Sequence, residues 1–361
     1  MRRLPYMPEG MPYCSYIRRG RWMNDLADSM EAVAYAAKAV GVEAVPSPEN
    51  RFSARLRKIS SADIFSSNCP VSSACAATLA EKRSIAVLDG LTCIDELAEA
   101  VSMRIPLVIA NASISMGFHS LHNDCSDIMP VKDLNIMIFL PENNQEILDN
   151  VVHAYRICED SRVLLPAIIN AEMPETREVV QIPSDQAVEN MLPRLRLPSR
   201  IDTKKPCSFN PPVGDYTEQR IQQFKAMENA AGIVKKAFEK WDEKFHRKYG
   251  FFEGYMVDDA EYIFVVAGYN SGAVRSAVNS LRAGGEKAGM LRIRVLRPFA
   301  TEINDILKGR KVAIIDPCGL LSEIRAPLML FTAGKCLSEK DVISIFAKMK
   351  KSESGRLWLQ A

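Results

Sequence analysis

The chain has 361 residues, 47% of them hydrophobic and 25% charged, which is ordinary globular composition and more than one core usually holds. Forty-six basic side chains against forty-four acidic ones leave a formal charge of +2. So near-neutral a balance argues against nucleic acid as a main partner. No run reaches the roughly eighteen apolar residues of a membrane span, and the N-terminus lacks the apolar stretch of a signal peptide.

Nine cysteines (Cys14, Cys69, Cys75, Cys93, Cys125, Cys158, Cys207, Cys318 and Cys336) make no CxxC pair. An odd, scattered set fits a reducing cytoplasm and argues against a disulfide framework, a structural zinc or an iron–sulfur cluster in this chain. The expectation is a cytoplasmic α/β protein.

In chain order, residues 1–22 form a basic, proline-interrupted arm. Asp25 to Val40 has Leu26, Met30, Val33, Ala37 and Val40 at helical spacing, and VEAV at Val42–Val45 is a short strand before Pro46 and Pro48. The polar loop after it leads to a basic helix around Arg55. SSNCPVSSAC, Ser66–Cys75, is a turn with a proline in the first turn of a small-residue helix that runs through Leu79. SIAVL is a strand, Asp89-Gly90 a turn, and Thr92–Val101 a helix. PLVIAN and IMIFL are buried-strand runs flanking a long polar loop that carries Asn111, Ser113, His119, His122, Asp124, Ser126 and Asp127. A loop of about twenty residues in a compact domain calls for a functional reason. Glu142–Cys158 is a helix and VLLPAIIN another buried strand.

Residues 171–216 are proline-rich and read as a crossing segment. Asp215 and Glu218 then open a long helix with Ile221, Phe224, Glu228, Ala231, Val234, Phe238, Trp241 and Phe245 as its seam. From Ala260 the alternation restarts with YIFVVAG, the turn GYNSG, a helix over Ala273–Arg282, LRIRVL, a helix at Thr301–Leu307 and VAIID. The pattern divides into an arm (1–22), a first parallel-sheet domain (23–170), a crossing segment with the long helix (171–254), and a smaller α/β domain (255–361).

Three local constellations have the residue types of a chemical site. GYNSG could bind an anion at a helix N-terminus, but it lacks the rest of a dinucleotide fingerprint and reads better as a tight turn. His119 and His122 with Asp124 and Asp127 have metal-like spacing, but no helix fixes their geometry, so no metal is assigned. Cys125 near a histidine could be a nucleophile pair, but without an oriented base it reads as a loop thiol.

The order of segments says more than any one motif. MEAVAYAAKAVGVEAV, SACAA, RIPLVIANAS with NDCSDIM, LPENNQEILDNVVHAYRICED with VLLPAIIN, QQFKAMENA, FHRKYG, DAEYIFVVAGYNSGAVRSAVNSLRAGG and LRIRVLRPF follow one another between about Met30 and Pro327. In that order they resemble the alpha subunit of the 2-oxoacid:ferredoxin oxidoreductases, the pyruvate:ferredoxin oxidoreductase group. The resemblance implies a pyrimidine-binding thiamine diphosphate-type domain followed by a transketolase C-terminal-like domain. It further implies oxidative decarboxylation of a 2-oxoacid to an acyl-CoA, with electrons passed to ferredoxin. A beta subunit would hold the diphosphate and magnesium, and beta, gamma and delta subunits would complete a hetero-oligomer carrying the iron–sulfur clusters.

The same comparison exposes replacements. The family's substrate-facing hydroxyl in a YPITPST-like turn corresponds to AVPSPEN, leaving Ser47. Its glutamate, which activates the thiamine aminopyrimidine, corresponds to Asn68. Its substrate-carboxylate arginine corresponds to Ala112. An amide cannot exchange a proton at neutral pH, and alanine offers no bidentate pair. The resemblance therefore implies Asn68 and Ser47 at the cofactor and Asn111, Ala112, His119, His122 and Asp127 along the substrate cleft, with His119, His122 or Arg51 free to take over substrate contacts. The alternative is a subunit that has lost catalysis and persists as a structural or regulatory partner.

Overall fold

The computed structural model describes residues 22–48, 56–116, 124–171, 176–192, 194–197, 200–201, 204, 216–332 and 334–358. His119, His122, Arg51 and the residue 1–21 arm lie outside these, as do Arg55 and Asp215.

The first sheet is built from β2 (Ala44–Ser47), β3 (Asp63–Ser66), β4 (Ile85–Leu88), β5 (Val108–Asn111), β6 (Met137–Phe139), β7 (Ala167–Asn170) and β12 (Val295–Arg297). Five strands run in the order β12-β6-β7-β5-β4, and the β2-β3 pair joins through a parallel bridge from Ala44 to Ser84. Strands β4, β5 and β7 are buried at every position, as continuous Ile/Val/Ala runs require when helices cover both faces. The connecting helices are α1 (Ser29–Ala39), α2 (Pro70–Leu79), α3 (Ile94–Ser102) and α4 (Asn144–Cys158).

The second sheet comprises β9 (Phe252–Tyr255), β10 (Tyr262–Ala267), β11 (Ala288–Ile293), β13 (Lys311–Asp316), β14 (Leu328–Phe331) and β15 (Gly355–Trp358). Its order is β15-β14-β13-β10-β11-β9, parallel except for β9. Helix α7 (Ser271–Ala283) follows β10, and α9 (Glu339–Lys350) precedes β15. Strand β12 comes from the second half of the chain yet pairs with β6, so the two sheets are stitched together.

Three readings from periodicity need correction. The helix expected from Asp25 starts at Ser29, because Trp22–Ala27 is a strand, β1, paired antiparallel with β8 (Glu178–Pro183). Asp28 and Glu31 form a capping box that fixes the helix start, and Leu26 faces outward opposite Val179. Residues 171–216 are correspondingly less irregular than their prolines suggest, holding β8 and the short helix α5 (Asp185–Glu189). Along the long helix α6 (Tyr216–Phe245) the apolar seam holds at Val234, Phe238, Trp241 and Phe245, but Ile221 and Phe224 are exposed. The buried face of its first half is instead Gln223, Ala226 and Ala230, and the two alanines let α6 lie close against α3 and α4.

The most distinctive sequence motifs turn out to fasten the sheets together. Glu142 and Glu146 of LPENNQE meet Arg292 and Arg294 of LRIRVL. Arg292 is fully buried and donates to both Glu146 oxygens at 2.7 Å and to Glu253 at 2.7 and 2.9 Å. Arg294 adds contacts to Glu146 and Glu253, and Arg275 reaches Glu142 and Glu253. Three cations thus face three carboxylates, so no charge is left over. Burial opposes ionisation of Glu146, but the Arg292 fork outweighs it and holds that carboxyl below the usual range; at Glu142 burial wins and the pKa rises. Arg247 and Tyr249 of FHRKYG likewise grip the buried Asp149 at 2.6–2.9 Å.

Candidate functional site

In a parallel sheet the carboxyl ends of the strands leave backbone groups and loop side chains available to a ligand. Here that edge gathers residues far apart in sequence. Ser47 ends β2 beside Ser66, which ends β3. Leu88, Asn111 and Asn170 end β4, β5 and β7 in register. Asn68 sits in the turn between β3 and α2, exposed, while Ser47 is buried with its hydroxyl donating to the Pro48 carbonyl at 3.0 Å.

Asp127 is the hub of this edge. It is wholly buried, and its carboxylate accepts the Leu91 amide at 3.0 Å, Asn111 Nδ2 at 2.9 Å and the Ser113 hydroxyl. One side chain from the β5–β6 loop thereby ties the β4 turn to the end of β5. The turn itself depends on Gly90, whose φ is +90° and where a Cβ would stand 2.5 Å from Ile114 Cδ1. Ala112 is nearly buried, its amide donating to the Leu88 carbonyl at 2.9 Å. Cys125 has a left-handed backbone (φ +57°) and accepts from Asn170 Nδ2 at 3.3 Å, which agrees with its reading as a loop thiol. Among the described residues, the Oδ1 atoms of Asn111 and Asn170 are buried without a hydrogen-bond partner.

Sequence reasoning missed Glu96. From α3 its carboxylate accepts the Ser72 amide at 2.7 Å, capping α2 where the helix's own N-cap, Cys69, makes no side-chain bond. An acidic residue three positions into a helix was legible, but its reach to a neighbouring helix was not.

GYNSG is a structural turn. Gly268–Asn270 form a single 3-10 turn into α7; Tyr269 donates to the Gly334 carbonyl at 2.8 Å, and the Asn270 amide bonds Lys335 and Leu337. Between this turn and the ends of β6 and β7 lies a small, partly open cavity of about 30 Å³ lined by Cys125, Pro141, Asn170 and Gly268, room for about one water. A larger open groove of about 870 Å³ lies at the opposite, amino-terminal edge of the sheet, among Glu43, Glu81, Arg83, Arg194 and Arg200. Among the described residues, no group of three or more His, Cys, Asp or Glu side chains could hold a metal ion. No described helix is long and apolar enough to cross a membrane.

Comparison with known proteins places the chain. Residues 91–239 match the family model "Pyruvate flavodoxin/ferredoxin oxidoreductase, thiamine diP-bdg", and residues 260–349 match "Pyruvate:ferredoxin oxidoreductase core domain II". Pyruvate synthase subunit PorA of Pyrococcus abyssi is 35% identical over 269 residues, covering 67% of each chain. The chain belongs to the alpha-subunit family of the 2-oxoacid:ferredoxin oxidoreductases. The PorA subunit of Methanothermobacter thermautotrophicus is also 35% identical, over 63% of this chain and 62% of its own. Ketoisovalerate oxidoreductase subunit VorA of Pyrococcus horikoshii is 32% identical over 63% of this chain and 60% of its own. The chain thus spans about two thirds or less of the length of these relatives.

Solved structures agree on fold. The 2-oxoglutarate:ferredoxin oxidoreductase of Magnetococcus marinus superposes with a TM-score of 0.68 at 13% identity, over 91% of this chain and 65% of its own. Transketolase of Campylobacter jejuni gives 0.51 at 11% identity, over 89% of this chain and 45% of its own. The fold is a thiamine diphosphate-type parallel-sheet unit followed by a transketolase C-terminal-like α/β unit. Ala112, Asn111 and Asp127 fall inside the matched thiamine-binding region, whereas Ser47 and Asn68 precede it.

Proposed function

We propose that this alpha-type subunit forms one wall of a thiamine diphosphate cleft completed by a beta-type subunit in a cytoplasmic complex. The units would run over residues 23–170 and 255–361, joined by the crossing segment and long helix of 171–254 and preceded by the arm of 1–22. The reading implies oxidative decarboxylation of a 2-oxoacid to an acyl-CoA. Electrons would pass through iron–sulfur clusters on partner subunits to ferredoxin, with magnesium held by the beta-type subunit and gamma- and delta-type subunits completing the assembly.

The observation that carries this reading is the gathering of Ser47, Asn68, Asn111, Ala112 and Asp127 along one sheet edge, from segments far apart in sequence. When bound, thiamine diphosphate supplies a nucleophilic carbon for attack on the 2-oxo group. The residues present fit part of what such a group needs. Asn68, exposed in its turn, can hold a pyrimidine edge by hydrogen bonds but cannot exchange a proton there. Asp127 keeps the β4 turn and the end of β5 in place with an acceptor set already engaged by three donors. Ala112 offers no charge to a substrate carboxylate, which leaves His119, His122 and Arg51 as this chain's candidates for that contact.

The combination of Asn68 with Ala112 also favours a second reading, a structural or regulatory alpha-type subunit that binds no substrate. Reconstitution separates the two. The chain is co-purified with beta-, gamma- and delta-type subunits, and 2-oxoacid-dependent viologen reduction is measured with and without it. Activity that requires this chain supports the catalytic reading. A complex that contains this chain yet shows neither activity nor thiamine binding overturns it. An Asn68→Glu variant that gains activity supports the assignment of position 68.

A further inference from the structure

Asp127 sits at one end of a compact run of turns, and Lys132 sits at the other. Cys125, left-handed at φ +57°, leads the chain into the 3-10 turn Ser126–Ile128. The Ile128 carbonyl then accepts the amides of Val131 and Lys132, both at 3.1 Å, and the Ile128 and Val131 side chains are wholly buried. The run is therefore stiff, and its two ends face different units. Asp127 accepts from Leu91, Asn111 and Ser113 of the first sheet's strand-end edge. Lys132, buried, donates to Ser322 Oγ at 2.8 Å and to Glu323 Oε1 at 3.3 Å, both in the loop between β13 and β14 of the second sheet.

That loop is itself firmly held. The buried Asp316 carboxylate, at the end of β13, accepts the amides of Cys318, Gly319, Leu320 and Leu321 at 2.7–3.2 Å. Gly319 lies beside Met129 of the run, where a Cβ would stand 3.9 Å from Met129 Cε. Arg297 joins Asp133 at 2.8 Å to Glu323, so two cations, Lys132 and Arg297, meet two carboxylates across the seam. None of these residues belongs to the Glu146–Arg292 cluster. We propose that Lys132 is a positioning residue for the strand-end edge: anchored on Ser322 and Glu323 of the second unit, it holds the β5–β6 loop so that Asp127 stays bonded to the β4 turn and the end of β5. The second sheet thereby sets the shape of an edge that it does not itself form. Its consequence for cofactor binding rests on the function proposed above, whereas the positioning does not.

The test is hydrogen exchange of the full chain, read at the Leu91 amide by mass spectrometry with residue-level fragmentation. Lys132→Met keeps the apolar stem of the side chain and leaves Glu323 paired with Arg297, so the variant should fold, with circular dichroism as the check. Exchange at Leu91 should rise about tenfold, the size expected from losing the Ser322 and Glu323 bonds. Exchange at Ile168 and Ile169 in β7 should not change. Glu323→Gln, a substitution in the other unit, should also raise exchange at Leu91. Lys132→Arg keeps a charged donor for Ser322 and Glu323 and should restore most of the protection. A Leu91 rate unchanged in Lys132→Met or in Glu323→Gln, a rise spread equally over β7, or no recovery with Lys132→Arg would each overturn the proposal. A rise at Leu91 in an assembled complex whose thiamine diphosphate affinity is unchanged would uphold the positioning and count against the cofactor reading instead.

Discussion

Replacing Arg292 with methionine removes the centre of the charge cluster that joins the two sheets. Four charge-assisted hydrogen bonds disappear, two to Glu146 and two to Glu253. Glu146, 6% exposed, is left with Arg294 at 3.3 Å and the Glu142 amide at 3.1 Å. Breaking a buried pair from one side costs about 3–5 kcal/mol, against a total stability of about 5–15 kcal/mol for a typical domain. The sign of the pH dependence gives a sharper signature. In the unaltered chain the Glu146 pKa is depressed, so its contribution is present above the unfolded value near 4.3 and is lost as pH falls through the folded value. In Arg292→Met burial dominates and raises that pKa, so acidification from neutral pH toward about 4.5 relieves part of the penalty. Urea unfolding at several pH values should show a deficit that shrinks on acidification. Adding Glu146→Leu should restore most of the loss at neutral pH. A cost below about 1 kcal/mol, or one independent of pH, would refute this reasoning.

Three further outcomes can be checked by the same methods. Gly90→Ala should cost about 2–3 kcal/mol, since its φ is +90° and the new methyl meets Ile114; a free energy of unfolding unchanged within error would contradict this. Asp127→Asn should cost about 2–3 kcal/mol and speed amide exchange at Leu91, because an amide cannot accept all three of the donors that converge there. His153 is buried between Phe238, Trp241 and Tyr249, and burial followed by Arg247 and Arg156 lowers its pKa to about 3. Unfolding therefore takes up a proton below about pH 6.5, and the native state loses up to about 1.4 kcal/mol per pH unit down to the folded value. His153→Leu should lose less stability than the unaltered chain between pH 6.5 and 4.5.

Much of the first sheet was legible in the sequence because its strands are continuous buried runs of Ile, Val and Ala, and α1 and α4 open on side-chain caps, Asp28 and Asn143. What escaped was non-local. The pairing of Trp22–Ala27 with Glu178–Pro183 joins distant segments, and nothing within either window announces it. Ile221 and Phe224 kept helical spacing with the seam, yet close packing of α6 selected Gln223, Ala226 and Ala230 instead. At the site, the loop residues Asn111, Ser113 and Asp127 could be picked out by polarity, but not the fact that Asp127 gathers the others. Glu142, Glu146, Arg247 and Arg292 stood out as motif residues. Their work is to join the two sheets, which explains how so recognisable a pattern coexists with replacements at positions 68 and 112.

The central claim is that the strand-end edge around Asn68 faces the cofactor of a shared site. A structure of the assembled complex with thiamine diphosphate and magnesium tests it most directly. The account predicts the aminopyrimidine within hydrogen-bond distance of the Asn68 amide, about 3 Å, with Asn111, Ala112 and Asp127 on the same side of the cleft. A cofactor bound elsewhere, or a ring separated from Asn68 by other side chains, would contradict it.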